Sequence, residues 1–126
     1  MVKELKQEHR QIFDALGSMQ IIGLRSKKSR MTLLGVKDLL LSHLDKEDTR
    51  LYPMLLKSTT GSTRQIAQTY IDDMQATSQM VFDFFEKYSH DDIANIQELD
   101  TSFVVDITNV IKKLRLRIGR EEKFLY

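Results

Sequence analysis

Two histidines and two glutamates carry most of the chemistry this sequence offers. In HLDKEDTRLYP (residues 43–53), His43 and Glu47 stand four residues apart, a spacing that on a helix sets both side chains on one face, one turn apart. His9 lies in LKQEHRQIFDAL and Glu121 in REEKFLY. Imidazole nitrogens and carboxylate oxygens together suit a metal ion such as iron or zinc. All four residues fall where an apolar side chain is expected. A buried carboxylate without a partner costs several kcal/mol, so two of them require positive charge nearby. A metal ion or an arginine can supply it. Taken singly, each residue has a plainer reading. A lone histidine on an apolar stripe is commonly a satisfied core residue, Glu47 lies in the charged run DKED, and Glu121 lies in REEK.

The elements that must position these groups are helices. One proline and five glycines in 126 residues leave long segments uninterrupted. Apolar positions stepping by three and four predict four amphipathic helices. The first spans about 2–23, striped by Leu5, His9, Ile12, Leu16 and Met19. The polar link RSKKSR (25–30) leads to the second, about 30–58, with Val36, Leu40, His43, Glu47, Leu51 and Met54 in line. Pro53, which lacks a backbone donor, should kink it or tighten a turn. After TTGS (59–62), Ser62 or Thr63 is the expected N-cap of a third helix over about 63–88, with Ile66, Tyr70, Met74, Thr77, Val81, Phe84 and Tyr88 on one face. SHDD (89–92) is the next turn, and His90 in it reads as a solvated loop residue. A short helical turn then precedes the last helix, about 99–125, striped by Phe103, Ile107, Val110, Ile111, Leu114, Ile118, Glu121 and Leu125. Short polar loops between long helices predict one all-α domain over 1–126, an up-down-up-down four-helix bundle. No internal repeat, low-complexity tract or strand pattern is evident.

Composition narrows the function classes. Nineteen basic against eighteen acidic residues leave no global field that would draw the chain to nucleic acid or membrane. The absence of cysteine excludes disulfides and thiolate metal sites and agrees with a reducing cytoplasm. No apolar run approaches the roughly 20 residues of a membrane span. There is no Gly-rich phosphate loop, nucleophile elbow or Glu-x-x-His spacing, so an enzyme is not expected.

These residues resemble the hemerythrin-like (HHE cation-binding) family, four-helix bundles with a non-heme di-iron centre. The likeness covers nearly the whole chain. Glu8-His9 is similar to the E-H pair of the family's first helix; His43, Glu47 and Leu51-Tyr52-Pro53 match its H-x-x-x-E followed by leucine, aromatic and proline; REEKFLY matches the end of its fourth helix, with Glu121 in the bridging position. The resemblance implies a metal set of His9, His43, Glu47 and Glu121. The departures are equally specific. Arg117 stands where a histidine is expected four residues before Glu121, and Met74 and Ser78 fall where the third helix should supply histidine. Four of about seven ligands cannot cap and bridge two irons. The resemblance therefore implies no metal or a single iron or zinc ion, and neither a di-iron centre nor dioxygen carriage is expected. Arg117 has two readings: a guanidinium bridging Glu47 and Glu121 through bidentate bonds, or a solvated member of KKLRLRIGR (112–120).

The pattern from LLLSHLDKEDTRLYPMLLK through MQATSQMVFDFFEKY to LRLRIGREEKFLY also resembles the bacterial Rsd/AlgQ anti-sigma regulators, metal-free helical bundles that bind a sigma factor. That likeness lies in spacing and hydrophobic pattern. It implies a cytoplasmic regulator whose basic stretches, LRSKKSR and KKLRLRIGR, dock an acidic protein partner, either a sigma factor or a signalling protein. The sequence leaves open the metal, the partner, the oligomeric state, and whether the chain belongs to a longer protein.

Overall fold

The computed structural model describes residues 2–24, 26–89, 93–94 and 101–125, with positions 124 and 125 described by backbone alone. Helix α1 runs Val2–Ile22, α2 Lys27–Lys46, α3 Tyr52–Lys57, α4 Gly61–Lys87 and α5 Thr101–Arg120. Among the described residues there are four long helical rods and no strand, the all-α hemerythrin-like arrangement expected. The turn at SHDD with His90, and most of the short helix ahead of the last rod, fall outside the described residues; Ile93 and Ala94 are described and are helical. No described helix is long and apolar enough to cross a membrane.

The link between α1 and α2 is shorter than expected. Ser26 caps α2, its hydroxyl accepting from Ser29 N–H at 3.1 Å, so the helix begins three residues before position 30. Serine here satisfies one of the four orphan amides of a helix start. Ser29 and Arg30 turn inward. The Ser29 hydroxyl donates to Met19 O at 3.1 Å, and Arg30 Nη1 donates to Ile93 O at 3.1 Å. The third rod also begins early, with Thr60 rather than Ser62 or Thr63 in the N-cap position and without a side-chain cap bond.

The second rod is one continuous path of α2, a π-helical turn over Glu47–Leu51, and α3. Tyr52 N–H donates to Glu47 O, five residues back. A proline ring clashes with the carbonyl four residues behind it and offers no donor; the wider turn just ahead of Pro53 accommodates both. The extra residue rotates the remainder of the rod about its axis. Leu51 and Tyr52 are buried, whereas Met54, expected on the stripe, is 48% exposed. The last rod likewise ends in a π-helical turn, Glu121–Leu125. Both wide turns begin at a buried glutamate, a kind of bulge that recurs at functional sites.

The apolar interior is divided. One cluster includes Ile12, Leu16, Leu40, Leu44, Val81, Phe84, Phe103, Leu114 and Ile118; the other is Leu5, Leu51, Tyr52, Ile71 and Met74. Along three rods a polar side chain separates them, His9 between Leu5 and Ile12, Glu47 between Leu44 and Leu51, and Ser78 between Met74 and Val81, while on the last rod Glu121 lies just beyond Ile118. On α4 the buried stripe starts at Ala67 and Ile71, not at Ile66, which is 60% exposed. Tyr70 and Tyr88 are only partly buried. The side chain of Leu125 lies outside the described residues.

Candidate metal centre

The polar layer is made of His9, His43, Glu47, Arg117 and Glu121, none more than 2% exposed. Neither glutamate reaches water, and Arg117 is not a solvated member of its basic run. The two imidazoles sit edge to face, ring centroids 4.7 Å apart. One donor atom from each of His9, His43, Glu47 and Glu121 lies within 4.8 Å of the others. His43 Nε2 is 3.0 Å from Glu47 Oε1, His9 Nε2 is 3.6 Å from Glu47 Oε2, and His9 Nε2 is 3.8 Å from Glu121 Oε1. Donors around a tetrahedral ion at about 2.1 Å stand about 3.4 Å apart, so these separations suit a single cation.

The outer contacts orient the rings. His43 Nδ1 donates to Glu8 Oε1 at 2.8 Å, and Lys46 Nζ holds the other Glu8 oxygen at 2.8 Å. His9 Nδ1 faces Glu122 Oε1 at 3.3 Å. A carboxylate on Nδ1 fixes the tautomer and turns the Nε2 lone pair inward, the arrangement typical of metal-bound histidine. Among the described residues, His43 Nε2 and Glu121 Oε1 are buried without a hydrogen-bond partner. Although Glu47 Oε1 is only 3.0 Å from His43 Nε2, it is not aligned for a hydrogen bond. At that distance the imidazole nitrogen and the carboxylate oxygen call for positive charge between them, supplied by a metal ion or by a proton on Nε2. The donor set therefore fits one metal ion.

It does not fit two, because Arg117 fills the rest of the layer. Its Nη2 is 3.3 Å from Glu47 Oε1 and 3.2 Å from Asp48 Oδ1, and its Nε is 3.4 Å from Glu121 Oε1. Nη1 donates to Met74 O at 2.6 Å and also to the Ser78 hydroxyl. The guanidinium does stand between Glu47 and Glu121 as anticipated, but it touches one oxygen of each, not two in bidentate fashion. The positions expected to carry histidine on the third rod, Met74 and Ser78, are both used to hold it. Tyr52 stacks beside this cation, ring centroid 5.5 Å from the guanidinium carbon, and donates its hydroxyl to Glu121 Oε2 at 2.7 Å.

Burial pushes both site carboxyls up, yet they diverge. In Glu47 burial is outweighed by the close imidazoles of His43 and His9 and by the neighbouring Glu121 carboxyl, and its ionisation is held far below the ordinary carboxylate range. Glu121, desolvated and beside ionised Glu47, is pushed up to about 10. Like charges in one dry site cannot both form cheaply, so the pair keeps one proton, on Glu121. Desolvation opposes the charge of Arg117, but Tyr52, Glu121, Glu47 and Asp48 raise its ionisation further. Burial pushes the Tyr52 phenol up, leaving it a protonated donor.

All four ligand candidates from the sequence thus converge. Sequence reasoning did not find Glu8, Lys46 and Asp48 as supporting groups, nor the role of the Tyr52 hydroxyl. Glu8 was visible only as the neighbour of His9; its bond to His43 depends on how α1 packs against α2. No significant match was found among curated proteins or among solved structures. The family model described as Hemerythrin HHE cation binding domain matches residues 1–126, and with a buried His/Glu cluster at the positions that carry the family pattern, the chain belongs to the hemerythrin HHE cation-binding domain family.

Proposed function

We propose that this HHE domain binds a single divalent cation, iron or zinc, through His9, His43, Glu47 and Glu121, and works as a metal-sensing or regulatory module. The observation that carries this is the position of Arg117. Its guanidinium lies between the two carboxylates that would bridge a metal pair, and it cannot lose its charge to make way. A reversible dioxygen carrier needs imidazoles capping two irons, and the third and fourth rods supply none. With Arg117 filling the place of a second ion, and no acid–base pair facing a cleft among the described residues, cation binding itself is the activity assigned. Elemental analysis of protein equilibrated with Fe(II) or Zn(II) under anaerobic conditions tests this. One ion per chain is expected, lost in His43→Ala; two irons per chain, or none, would overturn it.

A second reading is favoured by the same residue. Arg117 already supplies the positive charge the carboxylates require, so the fold can persist without metal and act as a protein-binding regulator of an acidic partner, as the Rsd/AlgQ likeness implies. Arg30 and Arg117, one from each basic stretch, are buried, which confines any such surface to the remaining lysines and arginines. Retention of cooperative unfolding in chelator, together with no cation uptake, would favour this reading over the first.

A further inference from the structure

Helices α4 and α5 leave a groove between them, a cavity of about 320 Å³. Its floor is Met74 and Arg117, the same two residues that close the metal centre on this side. The floor is chemically quiet toward the groove, because Arg117 spends its donors inward on Glu47, Asp48, Met74 O and Ser78. The rim is different. Lys113 and Arg120 stand on α5, opposed by Asp73 on α4. Arg120 approaches Asp73 only to 3.9 Å, and Lys113 has no ion pair among the described residues. Two accessible cations against one anion leave the rim one positive charge in excess. The rest of the lining includes Met80 and Leu116, and Leu116 is 47% exposed although it lies in the groove wall.

We propose that the α4–α5 groove binds a small organic monocarboxylate, whose charged end pairs with Lys113 and Arg120 and whose apolar body lies on Met80 and Leu116. A single carboxylate matches the single excess charge, where a phosphate dianion would leave one negative charge unmatched. The paired methionine and leucine surfaces gain from covering an apolar body, which an inorganic anion would not offer. The cavity has room for roughly ten water-sized groups, enough for a chain of a few carbons. Charge-assisted bonds from Lys113 and Arg120 would orient the head group. Occupancy places the ligand one side chain away from the cation site, across Met74 and Arg117, yet the groove is complete without any bound metal.

Hexanoate and 1-hexanol, equal in chain length and different in charge, are the probes, followed by ¹H–¹⁵N correlation spectra of the EDTA-treated protein. Chelation keeps this test independent of the cation reading. Hexanoate is expected to give saturable shifts centred on Ala76, Met80, Lys113 and Leu116. The Lys113→Gln/Arg120→Gln variant should bind it about tenfold more weakly, with its spectrum otherwise unchanged, and hexanol should bind wild type no better than hexanoate binds the variant. Shifts that scatter over the surface or do not saturate, equal binding of the two probes, or unchanged hexanoate affinity in the variant would overturn the proposal.

Discussion

Arg117 Nε lies 3.4 Å from Glu121 Oε1, in the same i, i+4 relation that places His43 Nε2 3.0 Å from Glu47 Oε1. The second and fourth rods therefore present equivalent pairs to one buried layer, each leading into a π-helical turn. One pair offers an imidazole and the other a fixed cation. The layer therefore already holds one fixed positive charge between its two glutamates.

Removing that charge should be costly. Arg117→Leu leaves Glu47 buried, and Asp48 partly buried, beside an apolar side chain, and breaking a buried pair in this way costs about 3–5 kcal/mol. Urea unfolding in EDTA is expected to show that loss. Saturating Zn(II) should recover part of it, because the ion takes over the neutralisation and binds only the folded state. A loss below about 1 kcal/mol would place Arg117 among exposed ion pairs and contradict the geometry described.

Restoring imidazoles should restore a second site. Met74 Sδ sits 3.3 Å from the Tyr52 hydroxyl, which is itself 2.7 Å from Glu121 Oε2, so a ring at position 74 would reach the same carboxylate. The Arg117→His/Met74→His variant is expected to bind two metal ions per chain where wild type binds one. Elemental analysis of iron-loaded protein reads this directly. One ion in both proteins would mean that the layer cannot open into a two-ion site.

Much of the fold and the site was legible in the sequence, for definite reasons. Leu5, His9, Ile12, Leu16 and Met19 form one stripe in the sequence and are all buried, because a regular helix keeps positions three and four apart on one side. The same rule fails at Met54 because the π-helical turn inserts a residue and rotates the register, burying Tyr52 in its place. It fails at Ile66 because two successive steps of four, from 66 to 70 to 74, drift off the buried face, which instead runs through Ala67, Ile71 and Met74. His43 and Glu47 were visible through their spacing. Glu8, Asp48 and Lys46 were not, since their roles arise between rods, where spacing along one chain carries no information.

Proton linkage centres on Glu121. Its carboxyl ionises near 4.5 ordinarily and at about 10 in the fold. A group raised in this way contributes stability that is complete below its unfolded value and is lost as pH climbs through the folded one. Metal-free protein should therefore lose stability between about pH 4.5 and 10, with Glu121→Gln flattening the trend because the amide mimics the protonated acid. Cation binding must expel that proton, so affinity should rise with pH across the same window. Calorimetry at pH 7 in buffers of different ionisation enthalpy is expected to show about one proton released per ion bound, and none in Glu121→Gln.

The outer carboxylates separate a metal site from a merely polar core. Glu8 is 12% exposed, bonds His43 Nδ1 at 2.8 Å and is itself held by Lys46, while Glu122 is 41% exposed and faces His9 Nδ1 at 3.3 Å. An outer partner of a metal-bound histidine raises its basicity and fixes its tautomer, and losing one lowers metal affinity about 10–100-fold. Glu8→Gln should show that loss, because the amide can still occupy the space but no longer draws the Nδ1 proton as strongly. Glu122→Gln should change affinity by much less, since solvent already screens a longer contact. Zn(II) titrations of the two variants against wild type, with urea unfolding in EDTA alongside, distinguish the cases. Equal zinc affinity in all three proteins would mean that His43 is not held for a cation. A Glu8→Gln protein that loses stability in chelator but keeps its zinc affinity would assign Glu8 to packing the α1–α2 interface instead.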